Sequence, residues 1–159
     1  MTIRVGLGYD IHAFAAAEDE RALVLAGVTV DGHAGLAGHS DADAVTHAVC
    51  DALLGAAGFD DLGTLFPASE VRWKNARSMD MLREVVARVT TVGWHVCNVD
   101  VVINAEVPRL APHLDAMRDN LEALLGAGTC NVKPKRGESI GAIGRAEGIA
   151  VIAVALLER

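Results

Sequence analysis

Ile149-Ala150-Val151-Ile152-Ala153-Val154-Ala155-Leu156-Leu157 carries the largest consequence for the fold. The run is apolar throughout, so its period does not separate helix from strand. Its length and its β-branched residues favour a strand. It falls short of the ~18 apolar residues that span a bilayer, and reads as a buried element.

Upstream, Asn131-Val132-Lys133 forms a short strand before the turn-like Pro134-Lys135-Arg136-Gly137. Pro112 opens a helix at a position that tolerates proline, and Gly126 ends it. Val96 to Ile103, rich in Val and Ile, is a long strand after Gly93. Ser78 to Val92 is a helix, with Met81, Leu82, Val85, Val86 and Val89 at helical spacing. Gly58 to Lys74 shows no sustained period and reads as a loop, of a length that is often functional. Ser40 is expected to cap a helix that continues to Gly55, with Asp43 placed as in a capping box. Val45, Val49, Ala52 and Leu53 line one face of that helix. Leu23 to Leu25 and Val28 to Val30 flank Ala26-Gly27 as a small hairpin. Ile3 to Gly8 alternates as the first strand. The order implies an α/β (α+β) chain with a mixed sheet packed with helices, one domain over 1–159.

Hydrophobic residues make up 52% of the chain but aromatics only 4%, so the core is expected to consist of small aliphatic side chains in close packing. Such a composition leaves apolar surface for subunit contacts. The formal charge of 14 − 21 = −7 argues against non-specific nucleic-acid binding, which needs a basic field. A chain of this charge that handles phosphates needs a metal or a small basic cluster. Cys50, Cys97 and Cys130 form no Cys-x-x-Cys pair and are odd in number, which points to a reduced, cytoplasmic compartment. Arg4 and Asp10 interrupt the first apolar stretch, so neither a signal peptide nor a membrane span is expected.

Asp10 and His12 lie two apart at the end of the first strand, where extended backbone points both to one side. The pair can present a carboxylate and an imidazole to one ion; many strand ends carry such residues without a ligand. His39-Ser40-Asp41 stands at the next helix start, followed by Asp43 and His47, which share a helix face. His47 is either a third metal ligand or a satisfied core histidine, and Asp43 is read mainly as a cap. Two imidazoles, one carboxylate and an open fourth position make a catalytic zinc arrangement. Asp60-Asp61-Leu62-Gly63 sits in the loop and, taken alone, reads as a solvated turn. Lys133, Lys135, Arg136 and Glu138 crowd a turn that either contacts phosphate or is simply exposed.

At these residues the chain resembles the 2-C-methyl-D-erythritol 2,4-cyclodiphosphate synthase family. The resemblance runs along nearly the whole chain. It includes Gly8-Tyr9-Asp10-Ile11-His12, Gly38-His39-Ser40-Asp41-Ala42-Asp43 with His47, and Asp51-Ala52-Leu53-Leu54-Gly55. It continues through Asp61-Leu62-Gly63, Leu65-Phe66-Pro67, Asn98-Val99-Asp100, Pro108-Arg109, Asn131-Val132-Lys133 and Gly144-Arg145-Ala146-Glu147-Gly148.

The resemblance implies a chorismate-mutase-like homotrimer with sites between neighbouring subunits. It implies zinc, or a similar divalent transition metal, on Asp10, His12 and His47. Glu138 matches the ligand of a second ion, magnesium or manganese, beside the substrate diphosphate. His39, Ser40, Asp61 and Gly63 match positions that hold methylerythritol. Ala105 to Ala111, with Arg109 and Leu110, matches the cytidine segment, and Arg145 is a further expected substrate contact; Lys135 and Arg136 match no family contact and are expected, from their charge, to hold the substrate phosphates. The implied substrate is the cytidine diphosphate-linked 4-diphosphocytidyl-2-C-methyl-D-erythritol 2-phosphate, whose 2-phosphate attacks the β-phosphorus and expels CMP. No protein nucleophile is needed for an intramolecular transfer.

Two departures stand out. Lys135-Arg136-Gly137-Glu138 replaces the family's usual Thr-Thr-Thr-Glu, removing hydroxyls that contact the nucleotide phosphates. Ala142 replaces an aromatic that often lines the trimer's central cavity. Two other classes fit the residues alone: a zinc-dependent phosphate-ester hydrolase, and a non-catalytic trimeric binding module whose metal is structural. A cyclic product distinguishes the first, and turnover lost with the metal argues against the second.

Overall fold

The computed structural model describes residues 1–67, 69–73 and 76–159. Strand β1 (Ile3–Ala13) leads into a hairpin of β2 (Ala22–Leu25) and β3 (Val28–Ala34). Then come α1 (Ala44–Ala57), a short α2 (Leu62–Leu65), α3 (Ser78–Thr91), β4 (His95–Asn104), α4 (Leu114–Leu125), β5 (Cys130–Lys135), a short α5 (Gly141–Gly144) and β6 (Gly148–Glu158). The main sheet has the order β1-β6-β4-β5. β6 pairs antiparallel with both β1 and β4, while β4 and β5 are parallel across the α4 connection.

The apolar run at the C-terminus is therefore a strand, and it lies between two others. Ile149, Val151, Ala153, Ala155 and Leu157 are buried on one face. Ile152 and Val154 point the other way and are exposed, joined across the ladder by Ile3, Val5, Leu7, Tyr9 and Ile11 of β1. Both faces are apolar, which is why the alternation is invisible in the sequence.

Helix α1 lies almost against the backbone of β1. A Cβ on Gly8 would sit 1.8 Å from the Ala48 carbonyl oxygen, and one on Gly6 would sit 2.0 Å from that of Ala52. Glycine on the strand and alanine on the helix make this approach possible, in keeping with the small-residue composition.

The expected start of α1 is corrected. Ser40 does not cap it; Asp43 does, accepting the Thr46 N–H at 3.0 Å. Its carboxylate also accepts the Thr46 hydroxyl at 2.7 Å and the N–H groups of Ala26 and Gly27 at 2.8 and 2.7 Å. One buried side chain thus ties the helix start to the β2–β3 turn, where Ala26 and Gly27 both have positive φ. Burial raises the Asp43 carboxyl, and these hydrogen bonds work against that rise. Four donors and no acceptor fit the ionised form.

The loop expected over residues 58–74 is also more structured than its composition suggests. It contains α2, capped by Asp61, and a single 3-10 turn at Val71–Trp73. Ala68 and Lys74 of that loop lie outside the described residues. The turn expected at 134–137 begins later than anticipated, because β5 continues through Pro134 and Lys135.

Candidate active site

β1 delivers Asp10 and His12 to the same side, and α1 brings in His47 beside them. The Asp10 Oδ2 lies 3.1 Å from His12 Nε2 and 2.9 Å from His47 Nδ1. One ligand atom from each residue falls within 4.8 Å of the others, so the three can hold a divalent metal ion together. Among the described residues they are the one such group of three or more.

The outer nitrogens of the two imidazoles are held from behind. His12 Nδ1 is 2.6 Å from the Ala37 carbonyl, which can only accept, so Nδ1 carries a proton; Nε2 donates to Asp10 when the ring is charged and is free to ligate an ion when it is neutral. His47 Nε2 is 2.8 Å from Ser78 Oγ. The Ser78 hydroxyl donates to Asp41 Oδ1, and Asp41 Oδ2 accepts the Ser78 N–H at 3.0 Å. Ser78 therefore accepts from His47 Nε2, so in the neutral ring Nδ1 is the nitrogen left free for an ion. The donor set and both tautomers fit a zinc-type ion.

Burial works against the charge on Asp10, but with no ion bound the hydrogen bonds and charges of the protonated His12 and His47 rings outweigh it and hold the carboxyl well below the usual carboxylate range. The bond from Asp10 raises His12 above its ordinary value, against the effect of burial.

The triad opens into a cavity of about 180 Å³ lined by His12, His39, Ser40, His47, Leu62 and Gly63, with Phe66, Trp73 and Met81 behind. His39, Ser40 and Gly63 were expected there. Asp61 is not on the lining; its Oδ1 accepts the Thr64 N–H at 2.7 Å and starts α2, which carries Leu62 and Gly63 into place. Ser78 and Asp41 went unassigned in the sequence. Asp41 lies within the quoted motif, but nothing local links it to Ser78 across 37 residues.

A second, larger cavity of about 540 Å³ is formed by Ala105 to Ala111 with Pro134, Lys135 and Arg136. Ala105, Arg109, Leu110, Lys135 and Arg136 meet there, because β4 and β5 run parallel and end side by side at Asn104 and Lys135. The two cavities share no lining residue within one chain. Glu138 is exposed on the turn after β5, where it and Ser139 both have positive φ. Arg145 lines neither cavity; its Nε pairs with Glu147 at 2.6 Å. Ala142 is exposed on α5.

Fold and site together define an α/β protein with an Asp-His-His metal constellation and a separate, cation-lined cavity. The YgbB family model matches residues 3–158, and the chain belongs to that family. It is 51% identical over 158 residues to the 2-C-methyl-D-erythritol 2,4-cyclodiphosphate synthase of Rubrobacter xylanophilus, covering 98% of this chain and 95% of that one. Among solved structures, it resembles the bifunctional IspDF from Campylobacter jejuni with a TM-score of 0.92 and 38% identity, over 98% of this chain and 42% of that longer one. It also resembles the CDP complex of IspF from Plasmodium falciparum, with a TM-score of 0.84 and 32% identity, over 98% and 95% of the two chains.

Proposed function

We propose that this chain converts 4-diphosphocytidyl-2-C-methyl-D-erythritol 2-phosphate to 2-C-methyl-D-erythritol 2,4-cyclodiphosphate and CMP. An oxygen of the 2-phosphate forms a bond to the β-phosphorus. The bond from that phosphorus to the bridging oxygen breaks, and CMP leaves with the electron pair. Both reacting groups belong to one molecule, so the protein's task is to fold the substrate and offset its charge.

The observation that carries this reading is the convergence of Asp10, His12 and His47 at the mouth of a small cavity, with each imidazole fixed in the ligating tautomer. These three side chains would hold zinc, and Glu138 a magnesium or manganese ion. Bound divalent cations supply positive charge and orientation to phosphoryl oxygens. His39, Ser40 and Gly63 would seat the methylerythritol, with Asp61 placing Gly63 through the start of α2. The Ala105 to Leu110 segment would take the cytidine, and Arg109, Lys135 and Arg136 would face its phosphates. Arg145 is proposed as an outlying contact that must leave Glu147 to act.

Assembly as a homotrimer follows from the same reading. The exposed apolar face of β1 and β6 supports it, as does the division of the two cavities within one chain, which a neighbouring subunit would bring together. Residues 1–159 are taken as one domain. The free cysteines Cys50, Cys97 and Cys130 support a reduced, cytoplasmic compartment, and expulsion of CMP without water makes the proposed reaction that of a lyase; among the described residues, no helix is long and apolar enough to cross a membrane.

Incubation with the substrate and phosphorus NMR of the product tests the reaction. The cyclic diphosphate with equimolar CMP supports it; a linear phosphate ester would instead indicate hydrolysis.

A further inference from the structure

Glu106 and Arg136 meet in the wall of the larger cavity, one on the segment after β4 and the other just past β5. Glu106 Oε1 pairs with Arg136 Nη2, and Glu106 Oε2 accepts the Gly137 N–H at 3.1 Å. The carboxylate side chain is 13% exposed, whereas the arginine side chain is 68% exposed. One partly buried acid therefore grips the Arg136-Gly137 turn at two points, in the stretch where the sequence lacks the family's usual hydroxyls.

We infer that Glu106 is a positioning residue: it anchors one corner of the Arg136 guanidinium so that the remaining N–H donors serve the nucleotide diphosphate. The inference rests on the proposed reaction and deepens it. A guanidinium has five donors in a rigid fork, so engagement of Nη2 leaves Nε and Nη1 available. Among the described residues, neither of those atoms has an acceptor. A free arginine on a turn loses side-chain entropy when it binds phosphate; an anchored one has already lost part of it. Stability alone gives little reason for the pair, since an ion pair with so exposed a partner contributes little. Lys135 and Arg109 line the same cavity, so the site keeps an excess of positive charge despite the acid.

Charge considered alone predicts the opposite behaviour, because a carboxylate in an anion site repels phosphate. Removing it without an anchoring role would tighten nucleotide binding. The sign of one substitution therefore separates the two.

The experiment measures CDP affinity by calorimetry, together with KM and kcat, for the full-length protein and for E106Q, R136A and the E106Q/R136A double variant. Glutamine can still accept the Gly137 N–H, so the turn keeps one of its two holds. E106Q should weaken CDP about three- to tenfold and raise KM with kcat little changed, the range expected for part of one charge-assisted hydrogen bond. In the R136A background the same change should cause no weakening. Equal or tighter CDP binding by E106Q, or equal weakening in both backgrounds, overturns the inference. If the unaltered protein neither binds CDP nor forms the cyclic product, the proposed reaction fails and takes the inference with it.

Discussion

Ser78 Oγ lies 2.8 Å from His47 Nε2 and donates its own proton to Asp41, so a serine at the start of α3 sets the tautomer of a histidine on α1. The metal constellation is thus braced by a helix that contributes no ligand to it. Groups behind a ligating imidazole orient the ring and raise its basicity.

Ser78→Ala removes that brace while the Ser78 backbone N–H remains positioned for Asp41. The variant should fold and bind zinc about tenfold or more weakly. Competition with a chelator of known affinity measures this; unchanged affinity would show that His47 needs no support from Ser78.

His12→Ala and His47→Ala each remove one of the three proposed ligands. Both proteins should retain their far-ultraviolet circular dichroism and lose most bound zinc and turnover. Elemental analysis of purified His47→Ala at full zinc occupancy would remove His47 from the assignment.

The metal-free protein should show a pH signature. Asp10 raises the folded-state value of His12 above 6.5. A raised imidazole contributes stability that is fully present below the unfolded value and is lost as pH rises through the folded one. Asp10 is depressed, so its contribution is present above 3.8 and is lost as pH falls through its lower folded value. Chelator-treated protein should therefore lose stability as pH rises above 6.5, and His12→Gln should flatten that loss. Zinc affinity should rise over the same interval, since the proton and the ion compete for one lone pair. Melting curves against pH that coincide for the two proteins would contradict this account.

Two glycines should respond in opposite ways. Gly8→Ala places a methyl 1.8 Å from the Ala48 carbonyl oxygen, backbone that cannot turn aside. It should destabilise by about 3 kcal/mol or more, by forcing α1 away from the sheet. Gly55→Ala, inside α1 with nothing within 4 Å of the new methyl, should be neutral or stabilise by up to ~1 kcal/mol. Thermal denaturation of both variants at one protein concentration is the check.

How much of this was legible in the sequence follows the distance over which each relationship acts. Asp10 and His12 are two apart on a strand, and their common direction follows from extended backbone alone. The resemblance to the family supplied His47 as their partner. The Asp41–Ser78–His47 chain joins α1 to α3, and no local pattern marks it. Ser40 looked like a cap by type, but the helix starts at Asp43, because Asp43 also satisfies the β2–β3 turn. α2 was hidden because four residues are too few to show a period. Glu106 was passed over because its partners Arg136 and Gly137 lie a whole helix away in sequence and become neighbours only through the parallel pairing of β4 and β5.

The central claim is that the Asp10-His12-His47 site serves an intramolecular phosphoryl transfer. Phosphorus NMR of 4-diphosphocytidyl-2-C-methyl-D-erythritol 2-phosphate incubated with the zinc-loaded protein, and in parallel with His47→Ala, tests it most directly. The account predicts a cyclic diphosphate and one equivalent of CMP from the first sample and unchanged substrate from the second. A linear hydrolysis product, or equal turnover by both proteins, would contradict it.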